Sequence, residues 1–384
     1  MTAGLPERAE VVVIGGGVLG VSTAFHLAEA GAEVVLVERD ELGSGSTSKA
    51  AGGVRAHFSD PVNIELGRRS LRAFEDFAAR PGGEIDLEQH GYLFLLSDPA
   101  DVDAFERSVA LQRELGVDSR MLTAAQAGEL SPFVETDDLL AAAYGPTAGH
   151  CTPEAVVQGY ARAARGRGAV LHRHCAVTGI KTDGARITGV HTDSGPIATS
   201  TVVCAAGAWS AAVGEMAGVE LPVRPLRRQV LVTEAMPDLP PSTPFTVDFS
   251  TSFYFHDEGP GLLIGMSDPD EEYGFALRTD DHWLPRLSEA IARRAPRLSD
   301  VGVAHGWAGL YEMSPDRNGM VGESRELPGF FYATGFSGHG FLQGPAIGEV
   351  LRDLVLGCRP VVDVSGLSVE RFADSAVRPE HNCV

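Results

Sequence analysis

The chain has 384 residues, with 31 Lys and Arg against 52 Asp and Glu and a formal charge of −21. That acidic balance disfavours nucleic acid and anionic membrane as partners, and the length allows two domains or one with a large insertion. The five cysteines, Cys151, Cys175, Cys204, Cys358 and Cys383, are odd in number and lack metal-type pairing, which suits incidental thiols in a reducing cytoplasm. The amino end shows no signal-peptide pattern, and no apolar run reaches membrane-spanning length.

Residues 10–38, EVVVIGGGVLGVSTAFHLAEAGAEVVLVE, organise the rest. Val11 to Ile14 form a β-branched run, too short for a helix and closed by glycine, as a buried parallel strand requires. Gly15, Gly17 and Gly20 follow at G-x-G-x-x-G spacing: one for the tight turn, one for close approach of a pyrophosphate, one for packing helix on strand. Val18 and Leu19 begin a helix whose free N–H groups and dipole favour phosphate. A second apolar strand ends at Glu38, at the separation where a carboxylate takes ribose hydroxyls, and Arg39 follows it. Glu38 favours a free 2′-hydroxyl, hence FAD or NAD over NADP.

Beyond Arg39 the chain turns rich in Gly, Ser and Ala, and Ser46, Thr47 and Ser48 offer donors to a flat ligand running over the loop. Asp60 and Pro61 read as the cap and first residue of a helix. Residues 84–144 change to short strands, such as 92–96, and a helical stretch near 104–115. Thr152 and Pro153 start another helix by cap and fixed φ. Short strands are expected at 170–172, 176–180 and 201–205, the last breaking at Gly207 beside Trp209. Strands at 228–233, 252–256 and 262–266 suggest a mainly antiparallel sheet able to roof a pocket. A strand at 330–333 then turns through TGFSGHGF into a helix carrying Ile347, Val350, Leu351, Leu354 and Val355 at helical spacing.

The opening motif, the STSKAAGGVR loop and the ATGFSGHGF segment together resemble the FAD-dependent amine oxidoreductases of the D-amino-acid oxidase superfamily. The likeness is to sarcosine oxidase β subunits, glycine oxidases, and proline and dimethylglycine dehydrogenases. It implies an α/β fold, with a Rossmann-like FAD-binding domain (1–83, 145–215 and 320–384) and an inserted, mainly antiparallel α+β substrate domain (84–144 and 216–319). FAD contacts are then expected at Gly15, Gly17, Val18, Leu19, Gly20, Glu38, Arg39, Ser46, Thr47, Ser48, Lys49, Val177, Gly207, Trp209, Gly338, His339, Gly340, Phe341 and Leu342.

The resemblance further implies that Arg55, after the small-residue loop, clamps a substrate carboxylate, with Tyr254 and His339 in the same pocket. A guanidinium suits that task by its planar fork and permanent charge. The covalent flavin links of relatives fall at Lys49 and Gly309, neither able to form them, so noncovalent FAD is expected. Pro153 stands where multi-subunit relatives attach FMN to histidine, so no FMN site is carried over. Leu263 replaces an oxygen-activating lysine, and Leu342 a second carboxylate-binding one.

The expected function is oxidation of a secondary amine or amino acid to an imine by hydride transfer to flavin N5, with O2 or a redox partner as acceptor. A dehydrogenase subunit passing electrons to a partner, a noncatalytic FAD-binding assembly protein, and an NAD-linked dehydrogenase sharing the first unit stand as alternatives.

Overall fold

A computed structural model describes residues 4–240, 242–373 and 377–382; Cys383 and the ends of the expected FAD-binding segments lie outside the described residues. Strand β1 (Val11–Ile14) is buried throughout and pairs in parallel with β2 (Val34–Val37) on one side and Val202–Cys204 on the other. Val170–His172 extends the sheet beyond β2, Phe330–Thr334 extends it beyond Val202–Cys204, and antiparallel Met320–Glu323 closes that edge. A parallel core bracketed by helices is what near-continuous valine strands dictate.

Between β1 and helix α1 (Val18–Glu29) the chain turns at Gly15, where φ is +108° and a Cβ would stand 2.4 Å from the Ala205 carbonyl oxygen. A Cβ at Gly20 would fall 1.9 Å from the Gly15 oxygen, so only glycine lets α1 approach the strand. Helices Pro153–Gly166 and Gly340–Val355 pack against α1.

An eight-stranded sheet faces this unit in the order Val303–Met313, Arg224–Thr233, Gly261–Gly265, Phe253–Glu258, Phe245–Asp248, Tyr92–Leu96, Ala141–Gly145, Arg120–Leu122. It is antiparallel except where Phe245–Asp248 lies parallel to Tyr92–Leu96. Along Tyr92–Leu96, Tyr92, Phe94 and Leu96 join one apolar cluster and Leu93 and Leu95 another, the two-residue alternation of a sheet covered on both faces. No helix among the described residues is long and apolar enough to cross a membrane.

Several elements depart from expectation. The segment GWAGLYEM is an eleven-residue strand, Val303–Met313, at the edge of the large sheet. Val177 begins a separate three-stranded antiparallel sheet with Ile187–Thr192 and Gly195–Ile197. Asp60 caps its helix as expected, accepting from the Val62 amide at 2.8 Å, whereas the Thr152 hydroxyl donates to Asp86 at 2.9 Å instead of capping. Cys151, Cys175 and Cys204 are buried free thiols and Cys358 is an exposed one.

Candidate active site

A cleft runs from the carboxyl ends of the parallel strands to the near face of the large sheet. One end is formed by Glu38, Arg39 and Cys175 to Val177, the middle by Gly15 to Leu19 and the turn at Gly207, and the far end by Lys49, Arg228, Gly309 to Glu312, Gly338, Gly340 and Phe341. The Glu38 carboxylate is held at its strand end by the amides of Gly16 (2.6 Å) and Asp40 (2.9 Å). Arg39 lies over the Trp209 ring, 4.1 Å from its centroid, and both border the cleft.

Two helices begin here, α1 after Gly17 and Gly340–Val355 after His339; neither N-cap residue supplies a side-chain cap, and neither first turn holds an acid. Positive helix ends without an acid in the first turn attract negative charge. The Ser46 and Thr47 hydroxyls, both at the cleft, also tie the loop in place: Ser46 donates to the Leu310 carbonyl (2.6 Å) and Thr47 accepts from the Val18 amide (3.2 Å).

Most of the sequence-predicted contacts border the cleft, but Gly20, Ser48, His339, Leu342, Arg55 and Tyr254 stand off its lining. Ser48 uses its amide on the Gly43 carbonyl (2.9 Å), and Leu342 is buried in the core of the parallel unit. His339 meets Phe58 edge-on at 5.1 Å; burial, then the neighbouring Arg55 charge, push its pKa down to about 3, so the ring is neutral.

Arg55 is only 4 % exposed, donates to the backbone carbonyls of His57 and Asn382, the latter at 2.7 Å, and lies 4.4 Å from the Phe58 centroid. Much of its fork is thus engaged within the protein. Tyr254 stacks with Phe245 at 5.4 Å, and burial raises its hydroxyl pKa well above the usual range.

Two functional candidates escaped the sequence reading. Arg228 borders the cleft 5.3 Å from the Tyr311 centroid; one terminal nitrogen donates to the Arg227 carbonyl (3.1 Å), while its Nε is buried without a partner. Glu312 is 8 % exposed, accepts from the Thr334 hydroxyl at 2.9 Å, and is pushed up to about 7 by burial. A lone acid in the apolar, glycine-bearing run GWAGLYEM was the available signal for Glu312.

Glycine backbone, two helix N-termini and a carboxylate at the end of the second strand fit an extended adenine dinucleotide with its diphosphate over α1. The fold and cleft together therefore define a dinucleotide-binding protein of the doubly wound class. Residues 10–354 match the family model "DAO: FAD dependent oxidoreductase", and the chain belongs to that family.

The chain is 34 % identical over 388 residues to mitochondrial sarcosine dehydrogenase of Homo sapiens, covering 97 % of this chain and 42 % of that protein. It spans less than half the length of the curated sarcosine and dimethylglycine dehydrogenases it matches. Among solved structures it resembles L-proline dehydrogenase from P. horikoshii, with TM-score 0.92, 32 % identity, and coverage of 97 % of this chain and 100 % of that one. Glycine oxidase from Geobacillus kaustophilus gives TM-score 0.84 and 27 % identity over 95 % of this chain and 99 % of that one.

Proposed function

We propose that the chain oxidises a carboxylate-bearing secondary amine or amino acid, of the sarcosine, proline or glycine kind, to an imine. FAD along the cleft supplies the hydride acceptor, while the protein contributes placement, charge and exclusion of water. Family membership and the activities of the relatives support this reading. The observation that carries it is Arg228: a guanidinium at the far end of the cleft, beside Tyr311, with a buried N–H awaiting an acceptor. A substrate carboxylate satisfies that donor and neutralises the charge.

Arg228 is accordingly proposed as the principal carboxylate dock. Docking on Arg55, the sequence expectation, requires displacing protein carbonyls from that fork. The domain division given above, with the large sheet as substrate domain, is part of the same proposal.

The FAD is proposed to be noncovalent. A Cβ at Gly309 would lie 2.5 Å from the Lys49 Cβ, so the two positions that carry links in relatives face one another here, and neither bears a linking group. Acid precipitation should leave all flavin in the supernatant; a yellow pellet refutes this.

A dehydrogenase passing electrons to a partner is the second reading. By the resemblance, Leu263, a buried residue, matches the position of an oxygen-activating lysine in monomeric relatives, which supports this reading. A cytoplasmic setting belongs to the proposal as well, consistent with four free thiols among the described residues.

The deciding experiment is anaerobic mixing of the yellow protein with N-methyl amino acids, cyclic imino acids and amino acids, followed by readmission of air or of a dye. Bleaching by one of these classes is expected, with reoxidation by dye faster than by air if a partner is the natural acceptor. No bleaching by any carboxylate-bearing amine overturns the proposal.

A further inference from the structure

Away from the cleft, three segments bring metal-ligating side chains to one point. Glu88 and His90 precede strand Tyr92–Leu96, His150 ends strand Gly149–His150, and Asp257 lies on strand Phe253–Glu258. Ligand atoms of Glu88, His90 and Asp257 all fall within 4.8 Å of one another. His90 Nδ1 stands 3.5 Å from Asp257 Oδ2 and 3.7 Å from Glu88 Oε2, and His150 Nε2 stands 3.9 Å from that same glutamate oxygen.

These separations are too long for good hydrogen bonds, and of the atoms involved only Asp257 Oδ2 has another partner among the described residues, the Thr243 amide. His90 Nδ1, His150 Nε2 and Asp257 Oδ1 are all buried without a hydrogen-bond partner, and His150 is only 8 % exposed. Buried polar atoms in folded proteins nearly always find partners, so three orphans from three segments around one centre call for a common ligand. Ligands about 2.0–2.2 Å from a tetrahedral ion stand roughly 3.3–3.6 Å apart; the His90–Asp257 pair at 3.5 Å meets that spacing, and the Glu88 contacts at 3.7 and 3.9 Å approach it.

We propose that Glu88, His90, His150 and Asp257 form a site for a first-row divalent cation of the zinc type. Two imidazole nitrogens select against calcium and magnesium, which take oxygen ligands. Asp257 is oriented by the Thr243 amide, which donates to its Oδ2 at 2.8 Å. The Glu88 side chain, 48 % exposed, leaves an entry path from solvent.

None of the four residues borders the cleft, so the ion acts as a clip rather than in turnover. It joins the turn before Tyr92 and the hairpin strand Phe253–Glu258 to His150, which pairs with Gly53 in the small-residue loop. That linkage fastens the large sheet to the loop bordering the cleft.

The test uses untagged, FAD-loaded protein stripped with a chelator and titrated calorimetrically with Zn2+ and, separately, Mg2+. One equivalent of Zn2+ should bind and raise the melting temperature, with no response to Mg2+. Glu88→Gln and His90→Ala should each weaken Zn2+ binding at least ~30-fold, since each removes a direct ligand and even outer-shell partners are worth 10–100-fold. His191→Ala, on an exposed strand position, should leave it unchanged. Glu88→Gln is nearly isosteric at a half-exposed site, and unchanged flavin content confirms its fold, so that variant decides if His90→Ala folds poorly. Absence of saturable Zn2+ binding, a water-bridged ion pair only, or binding that survives Glu88→Gln overturns the proposal.

Discussion

The two ends of the cleft are built by different means. At the nucleotide end the groups on offer are mainly backbone: the turn at Gly15, the start of α1, and a carboxylate pinned by two amides. At the far end they are side chains projected from neighbouring strands, Arg228 paired across the sheet with Gly309 and Tyr311 two residues further on. A backbone site tolerates almost any sequence that keeps its glycines, whereas a side-chain site can change ligand by one substitution. On the proposed reading, the first end defines the cofactor class and the second selects the substrate.

That division can be broken most severely at Gly17. A Cβ there meets, within 4 Å, only the Thr47 hydroxyl at 3.1 Å, so Gly17→Leu is expected to fold while filling the space proposed for the diphosphate. Flavin content should fall below roughly a tenth of an equivalent; stoichiometric flavin absorbance in the folded variant would falsify the placement.

Arg228→Met tests the other end and should keep its flavin. It should lose about 100-fold in kcat/KM for a carboxylate substrate, on the order of 3 kcal/mol for a buried charge-assisted contact, and much less for the corresponding amide. Arg55→Met should show the smaller defect in substrate saturation. A reversed order would return the dock to Arg55.

The same division explains what could be read from sequence. The unit from β1 to Glu38 is contiguous, and strand, glycines, helix and acid each announce themselves at fixed spacing. The far end depends on register. In RPLRRQ, Arg227 points away to Glu271 (2.9 Å), while Arg228 faces the cleft. Slipping one residue exchanges the two arginines, and the sequence pattern began this strand at 228 whereas it begins at Arg224. Arg55 shows a further limit: its partner Asn382 is 327 positions away, with no periodicity or motif to announce the contact. The hydroxyls of Ser46 and Thr47 were legible as cleft residues, but not as ties to Leu310 and Val18.

A smaller and more selective effect is expected at Glu312, where the far end meets the middle of the cleft. Its carboxyl lies near Gly207 on one side and Gly340 on the other, with Thr334 donating to it, and burial raises its pKa from the ordinary 4.5 to about 7. A raised folded-state pKa means that the protonated form is favoured by folding. The associated stability is complete below pH 4.5 and is lost as pH rises through about 7. The span corresponds to at most on the order of 3 kcal/mol at the alkaline limit.

Glu312→Gln imitates the protonated acid and retains an acceptor for Thr334. Flavin-free variant and parent should therefore melt together near pH 5, and the variant should become the more stable as the buffer approaches pH 8. A melting difference that stays constant over that interval would mean that Glu312 does not titrate there, and that this buried acid is ionised throughout.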